Sequence, residues 1–158
     1  MRGDGVGSSR PLDPTYETAR MPTARDWART KAPSLADMEA LAAAAWRRLP
    51  RQFRDLCDNV VIRVEDFPTD EVLQEMDLEG PFDLLGLFQG VSIDRRSVMD
   101  PAGLPNMVYL YRRPILDYWA EHNETLGHLV THVLVHEIGH HFGLSDADMG
   151  HIEAAAGD

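Results

Sequence analysis

Between residues 124 and 143 the chain reads ETLGHLVTHVLVHEIGHHFG, and two residue types repeat in it with one four-residue period. Leu126, Val130, Leu134, Ile138 and Phe142 form one row, widened by Leu129 and Val133. His128, His132, His136 and His140 form the other. A four-residue period is helical. Positions two apart on a helix lie about 200° apart around its axis, so the two rows fall on opposite sides. The expectation is a helix from about residue 124 to about residue 142, docked on a core by its apolar row. Its histidine row then faces solvent or a cleft.

The rest of the chain has to supply the layer that this helix packs on. From residue 34 the stretch SLADMEALAAAAWRRL carries Leu35, Met38, Leu41, Ala42, Ala45, Trp46 and Leu49 at three-four spacing. Ser34 is a good N-cap, with Asp37 three residues on as a capping-box acid. Pro50 interrupts this helix, and RQFRDLCDN reads as a short further turn. VVIRVEDF is β-branched and strand-like, ended by Pro68. TDEVLQEMDL reads as a short capped helix, and GPFDLLGLFQGVSIDRR as glycine-punctuated and then strand-like. NMVYLYRRP alternates Val108 and Leu110 with Tyr109 and Tyr111, as a strand does. PILDYWAEHN is a helix started by Pro114. This order predicts an α+β fold, one small mixed sheet packed against helices. Residues 1–33, rich in Gly, Pro, Ser, Thr and Arg, carry no apolar period and read as a disordered tail, leaving 34–158 as the domain. Trp27 is the one feature there suited to docking a partner.

The chemistry concentrates in HEIGHHFGLSD, residues 136–146. His136 and His140 are one helical turn apart on one face, a spacing that lets two imidazoles reach a single metal ion. Glu137 lies about 100° round the axis from His136, placed for a water beside the ion rather than for the ion itself. Gly143, just past the helix, can turn the chain in a left-handed conformation. Asp146, three residues later, can then return an oxygen ligand, and a catalytic zinc site needs such a third protein ligand. His-Glu-X-X-His alone arises in roughly 2% of shuffled chains of this composition, and with Gly143 and Asp146 required in roughly 0.02%.

This run resembles the metzincin-type zinc peptidase signature with Asp in the third ligand position, and in particular the minimal zincin family of bacteria. The resemblance implies a zinc metallopeptidase with one zinc ion per chain, His136, His140 and Asp146 as ligands and Glu137 as general base. It implies a peptide or protein substrate, and a sheet whose edge strand, within GLFQGVSI, lies above the site. Metzincins also carry a methionine turn well downstream. Only 12 residues follow Asp146, and Met149 stands too close to it for that turn, so the expectation is a fold without the full C-terminal subdomain.

Other residues compete for these roles. His132 is four residues before His136 but has no Glu after it, and it reads as a cleft residue rather than a ligand. His128 reads as solvent-facing, and His141 as turned off the ligand face. His151 or Glu153 can replace Asp146 as third ligand, though Glu153 stands close in sequence to the motif. Tyr109, Tyr111 and Tyr118 are candidates to stabilise an oxyanion. Two other functions suit the same motif. One is a non-catalytic metal-binding or peptide-docking protein that keeps the site; the other is a metal-dependent hydrolase of non-peptide amides. Two imidazoles and a carboxylate suit zinc, and also iron, cobalt or manganese.

Charge and composition exclude other classes. The net charge is −11, with nine basic against 22 acidic residues from residue 34 onward. Such a surface repels nucleic acid and anionic membrane. No apolar run approaches the roughly 20 residues of a membrane span. Cys57 is the single cysteine, so no internal disulfide forms. The first 20 residues contain no apolar signal segment, and a cytoplasmic protein is expected. Arg and Ala dominance suggests a bacterial source with a GC-rich genome.

Overall fold

The computed structural model of the chain describes residues 20–57, 59–90 and 105–157. They divide into two compact units between Ala32 and Pro33. In the first, within the segment read as lacking regular structure, lies a short helix, α1 (Ala24–Arg29). Thr23 caps it, and Asp26 completes a reciprocal capping box that the Thr-X-X-Asp spacing already contains. None of its residues is buried.

The second unit is the α+β domain. The helix α2 (Leu35–Arg48) starts at Ser34, whose hydroxyl accepts from the Asp37 amide 3.1 Å away. Leu49 and Pro50 separate it from α3 (Arg51–Arg54). The strand β1 (Val60–Glu65) follows, then α4 (Asp70–Glu75), capped by Thr69. β2 (Gly86–Gln89) is shorter than the strand-like stretch in the sequence, and residues 91–96 of that stretch lie outside the described residues. β3 (Asn106–Tyr111) runs directly into α5 (Arg112–Glu121). This helix begins two residues before Pro114, which is tolerated in a first turn because its missing N–H would have no intrahelical partner there. The long helix α6 (Leu126–His141) and a final α7 (Asp146–Ala156) complete the unit.

The sheet order is β1-β3-β2, with β1 parallel and β2 antiparallel to the central β3. Cα partners across a ladder share a face, so Ile62 and Val64, Val108 and Leu110, and Gly86 and Phe88 point the same way. That face meets α2 and α6. Among the residues sealed there, Met38, Ala42, Val108, Leu110, Val130, Leu134 and Ile138 have no exposed surface. Each large side chain so buried contributes roughly 1.5–3 kcal/mol, against about 1 kcal/mol for a helix cap, so packing and not capping decides the fold. Arg112 ties the far end of this layer. Its Nε donates to the Pro33 carbonyl at 2.6 Å and its Nη1 to Asp66 at 3.1 Å.

Burial on α6 extends beyond the apolar row. Thr131, Val135 and Gly139 are buried as well, because α5 and α7 pack on the helix besides the sheet and α2. α7 has no counterpart in the sequence reading, which only had the chain turn at Gly143 and bring Asp146 back toward the motif. The signal for it is Ser145-X-X-Asp148, a capping box of the same form as Ser34-X-X-Asp37. Between α6 and α7 the chain makes a Schellman turn. The Leu144 amide donates to the Gly139 carbonyl and the Gly143 amide to that of His140. Gly143 has φ +70°, as the sequence led us to expect. The two helices then meet at a glycine: a Cβ built on Gly139 would lie 2.5 Å from Sδ of Met149, which is fully buried. No described helix is long and apolar enough to cross a membrane.

Two outcomes follow for urea unfolding followed by circular dichroism. Gly143→Ala should lose about 1–2 kcal/mol, the cost of a side chain in left-handed backbone. Met149→Ala should lose about 2–5 kcal/mol through the cavity it leaves against Gly139. Unchanged midpoints would show that the α6–α7 hairpin adds nothing to the stability of the domain.

Candidate metal centre

Thr125 starts α6, its hydroxyl accepting from the His128 amide at 3.1 Å. From that cap the histidine row follows by helix geometry. The ring centroids of His132 and His136 are 3.9 Å apart, and those of His136 and His140 are 5.5 Å apart with the planes at 90°. α7 faces this row with carboxylates. Asp146 is its first residue, fixed by the Schellman turn and the Ser145 cap.

Two sets of metal-binding atoms converge here. His136, His140 and Asp146 each bring one ligand atom to within 4.8 Å of the others, and the first of the three is half-buried and the other two exposed. His132, His136 and Glu153 do the same with all three half-buried, and the sets have only His136 in common. The first set is the one expected from the motif. The second pairs a histidine and a glutamate that the sequence spacing disfavoured as ligands. Glu153 stands seven residues beyond Asp146, two turns on along the same face of α7. Without that helix in view, Glu153 stood too near the motif in sequence to be favoured as a ligand.

Glu137 occupies a different side of α6. It lies against the sheet edge: a Cβ built on Gly86 of β2 would come 2.7 Å from Cγ1 of Val133 and 3.2 Å from Cγ of Glu137. Burial beneath β2 pushes the Glu137 carboxyl up to about 7. It is therefore a weakly acidic group, near neutral pH, one residue from His136. Tyr111, buried at the end of β3, is pushed up to about 12, by burial first and then by the nearby Glu65, Tyr109 and Glu137 carboxyl and phenol groups. His136 is held below the usual histidine range, by burial first and then by His132, with Glu153 opposing.

The remaining sequence candidates sort by contact. His141 packs on Phe88 of β2, with centroids 4.2 Å apart, and belongs to neither ligand set. His128 lies 3.9 Å from Glu124, and His151 lines a recess between α3 and α7 with Phe53 and Ile152. Tyr118 stacks on His122 at 3.7 Å and Tyr109 on Tyr111 at 6.5 Å. Arg113 sits 5.4 Å over the Phe67 ring, and Arg112 is spent on Pro33 and Asp66. Met149 is a helix residue beneath the ligand-bearing turn of α6 rather than part of a turn.

The donors fit a divalent metal of the zinc type. Two imidazoles with one carboxylate form a zinc ligand set, three protein ligands being the number a catalytic site uses. A buried carboxylate oxygen, Oε1 of Glu153, also accepts no hydrogen bond among the described residues although two imidazoles stand beside it. Chemically, such a centre can polarise a carbonyl and activate water, with a buried acid–base group at its side.

Comparison with known proteins agrees with this chemistry. No curated protein matches the chain. The sequence model of one family, described as zincin-like metallopeptidase, matches residues 57–156, a span from just beyond α3 to the last residue of α7. The chain belongs to the zincin-like metallopeptidase family.

Proposed function

We propose that this protein is a zinc-dependent peptidase of the His-Glu-X-X-His-X-X-Gly-X-X-Asp type. The carrying observation is the convergence of ligand atoms of His136, His140 and Asp146 to within 4.8 Å of one another, one residue away from a half-buried carboxylate under a sheet edge. In this reading those three side chains hold one zinc ion per chain. The bound ion supplies Lewis acidity, polarising a scissile carbonyl and acidifying a water. Glu137 takes a proton from that water and delivers it to the leaving amine. Its burial under Gly86 keeps its carboxyl weakly acidic, as a group that must both accept and release a proton near neutral pH needs to be.

The substrate in this reading is an extended peptide. β2 is an edge strand of the described sheet and passes along α6, from Val133 and Glu137 at Gly86 to His141 at Phe88. Its outer backbone groups offer the donors and acceptors that pair with an added strand. Such a peptide would lie over Glu137 with its bonds along the row of ligands. The acidic net charge of −11 argues against nucleic-acid substrates. The single, buried Cys57 suits a reducing bacterial cytoplasm.

Untagged protein analysed by elemental mass spectrometry should carry about one zinc per chain, a single catalytic site's complement. His136→Ala should carry none and hydrolyse nothing. Glu137→Gln should keep the metal and lose peptide hydrolysis by about 10²–10⁴-fold, the scale of a lost acid–base group. Equal turnover of a peptide library by the wild type and Glu137→Gln would sink the peptidase reading. Chelation should abolish activity and added zinc should restore it.

A further inference from the structure

The ligand row of α6 is longer than one metal site needs, and α7 offers it two carboxylates. Asp146 and Glu153 are seven residues apart, which on a helix leaves them about 20° apart in direction and two turns apart in height. The histidines opposite them stand four apart. An antiparallel hairpin built on a four-residue link therefore sets Asp146 against His136 and His140, and Glu153 against His132 and His136. We propose that His132, His136 and Glu153 form a second site for a divalent cation of the zinc type, one helical turn from the first and exclusive with it because both require His136.

Geometry carries this assignment. Oε1 of Glu153 lies 2.9 Å from Nδ1 of His132 and 3.2 Å from Nε2 of His136. Around a zinc ion with bonds of about 2.0–2.1 Å, neighbouring ligand atoms of a tetrahedron stand roughly 3.3 Å apart. The oxygen is buried and accepts no hydrogen bond among the described residues, although two ring nitrogens are within reach. Three donor atoms that crowd one point without hydrogen-bonding geometry are arranged as ligands of an ion are. The three ligand atoms lie within 4.8 Å of one another, as those of the first set do.

The site is also reachable and rigid. A cavity of about 350 Å³, lined by His128, Thr131 and Glu153 among others, opens beside it. The His132 side chain is 44% exposed and that of Glu153 15%, so a hydrated ion meets the histidine first and the carboxylate last. The contact of Met149 with Gly139 holds the two helices at fixed spacing between the two sites. An ion in the second site engages His136 and removes it from the set with His140 and Asp146. That makes the second site an off position for the metal, one turn away from the position beside Glu137.

The test is zinc binding, independent of any hydrolysis. His140 is exposed, so His140→Gln removes a ligand of the first set without touching the core. Isothermal titration of this variant should still show one zinc per chain. Adding Glu153→Gln should weaken that binding at least about tenfold, and His132→Ala should do the same. The Asp146→Asn background repeats the experiment, with circular dichroism to establish that each variant is folded. Two zinc ions per wild-type chain would overturn the exclusive sharing of His136. A folded His140→Gln protein that binds no zinc, or binds it equally with and without Glu153, would overturn the site. Either result leaves the peptidase reading intact, because that reading is decided by Glu137→Gln.

Discussion

The close contact between α6 and α7 is the constraint on which the site depends. Gly139 has no side chain, and Met149 fills the space where one would be. This packing lets two helices joined by only four residues, Phe142 to Ser145, lie against each other. The Schellman turn supplies the reversal, with Gly143 in left-handed backbone and two amides closing onto the last carbonyls of α6. Ser145 then restarts a helix at once. A larger residue at 139 would widen the gap and separate the carboxylates of α7 from the imidazoles of α6. The candidate metal centre is thus a property of a helical hairpin more than of a single helix.

The second constraint lies on the opposite side of α6. The sheet gives that helix an apolar bed through Val108, Leu110 and Phe88, and its edge strand passes close enough to bury Glu137. One helix therefore presents imidazoles toward α7 and a carboxylate toward β2. The electrostatic difference follows from position. His140 and Asp146 are exposed, while Glu137 is pushed up to about 7 by desolvation. Adjacent residues in the chain, His136 and Glu137, acquire different environments because a helix turns about 100° per residue.

Much of this was legible in the chain. The Ser34 cap, the strands at Val60 and Asn106, and the docking row of α6 all follow from period and capping rules, since each depends on residues within one or two turns. Gly143 was legible for the same reason. Other features were not. Thr131 and Val135 lie off the apolar row and are buried only because further helices arrive on α6. The start of α5 at Arg112 depends on β3 feeding straight into it, which no local rule around Pro114 conveys. α7 had its capping box in plain view at Ser145 and Asp148, but the motif was read only as a turn that returns Asp146.

The sequence alone determined the histidine spacing, the helix that carries it and the acidic, cysteine-poor character of the domain. These are local or compositional, so one strand of text contains them. Tertiary structure decided which side of α6 each residue would serve. It placed Glu137 beneath an edge strand and brought Glu153 to His132 and His136. Those relations join residues from separate elements, across distances set by side-chain packing at Gly86 and Gly139. Periodicity gives the direction a residue points along its own helix, and only the packed neighbours decide what it meets there.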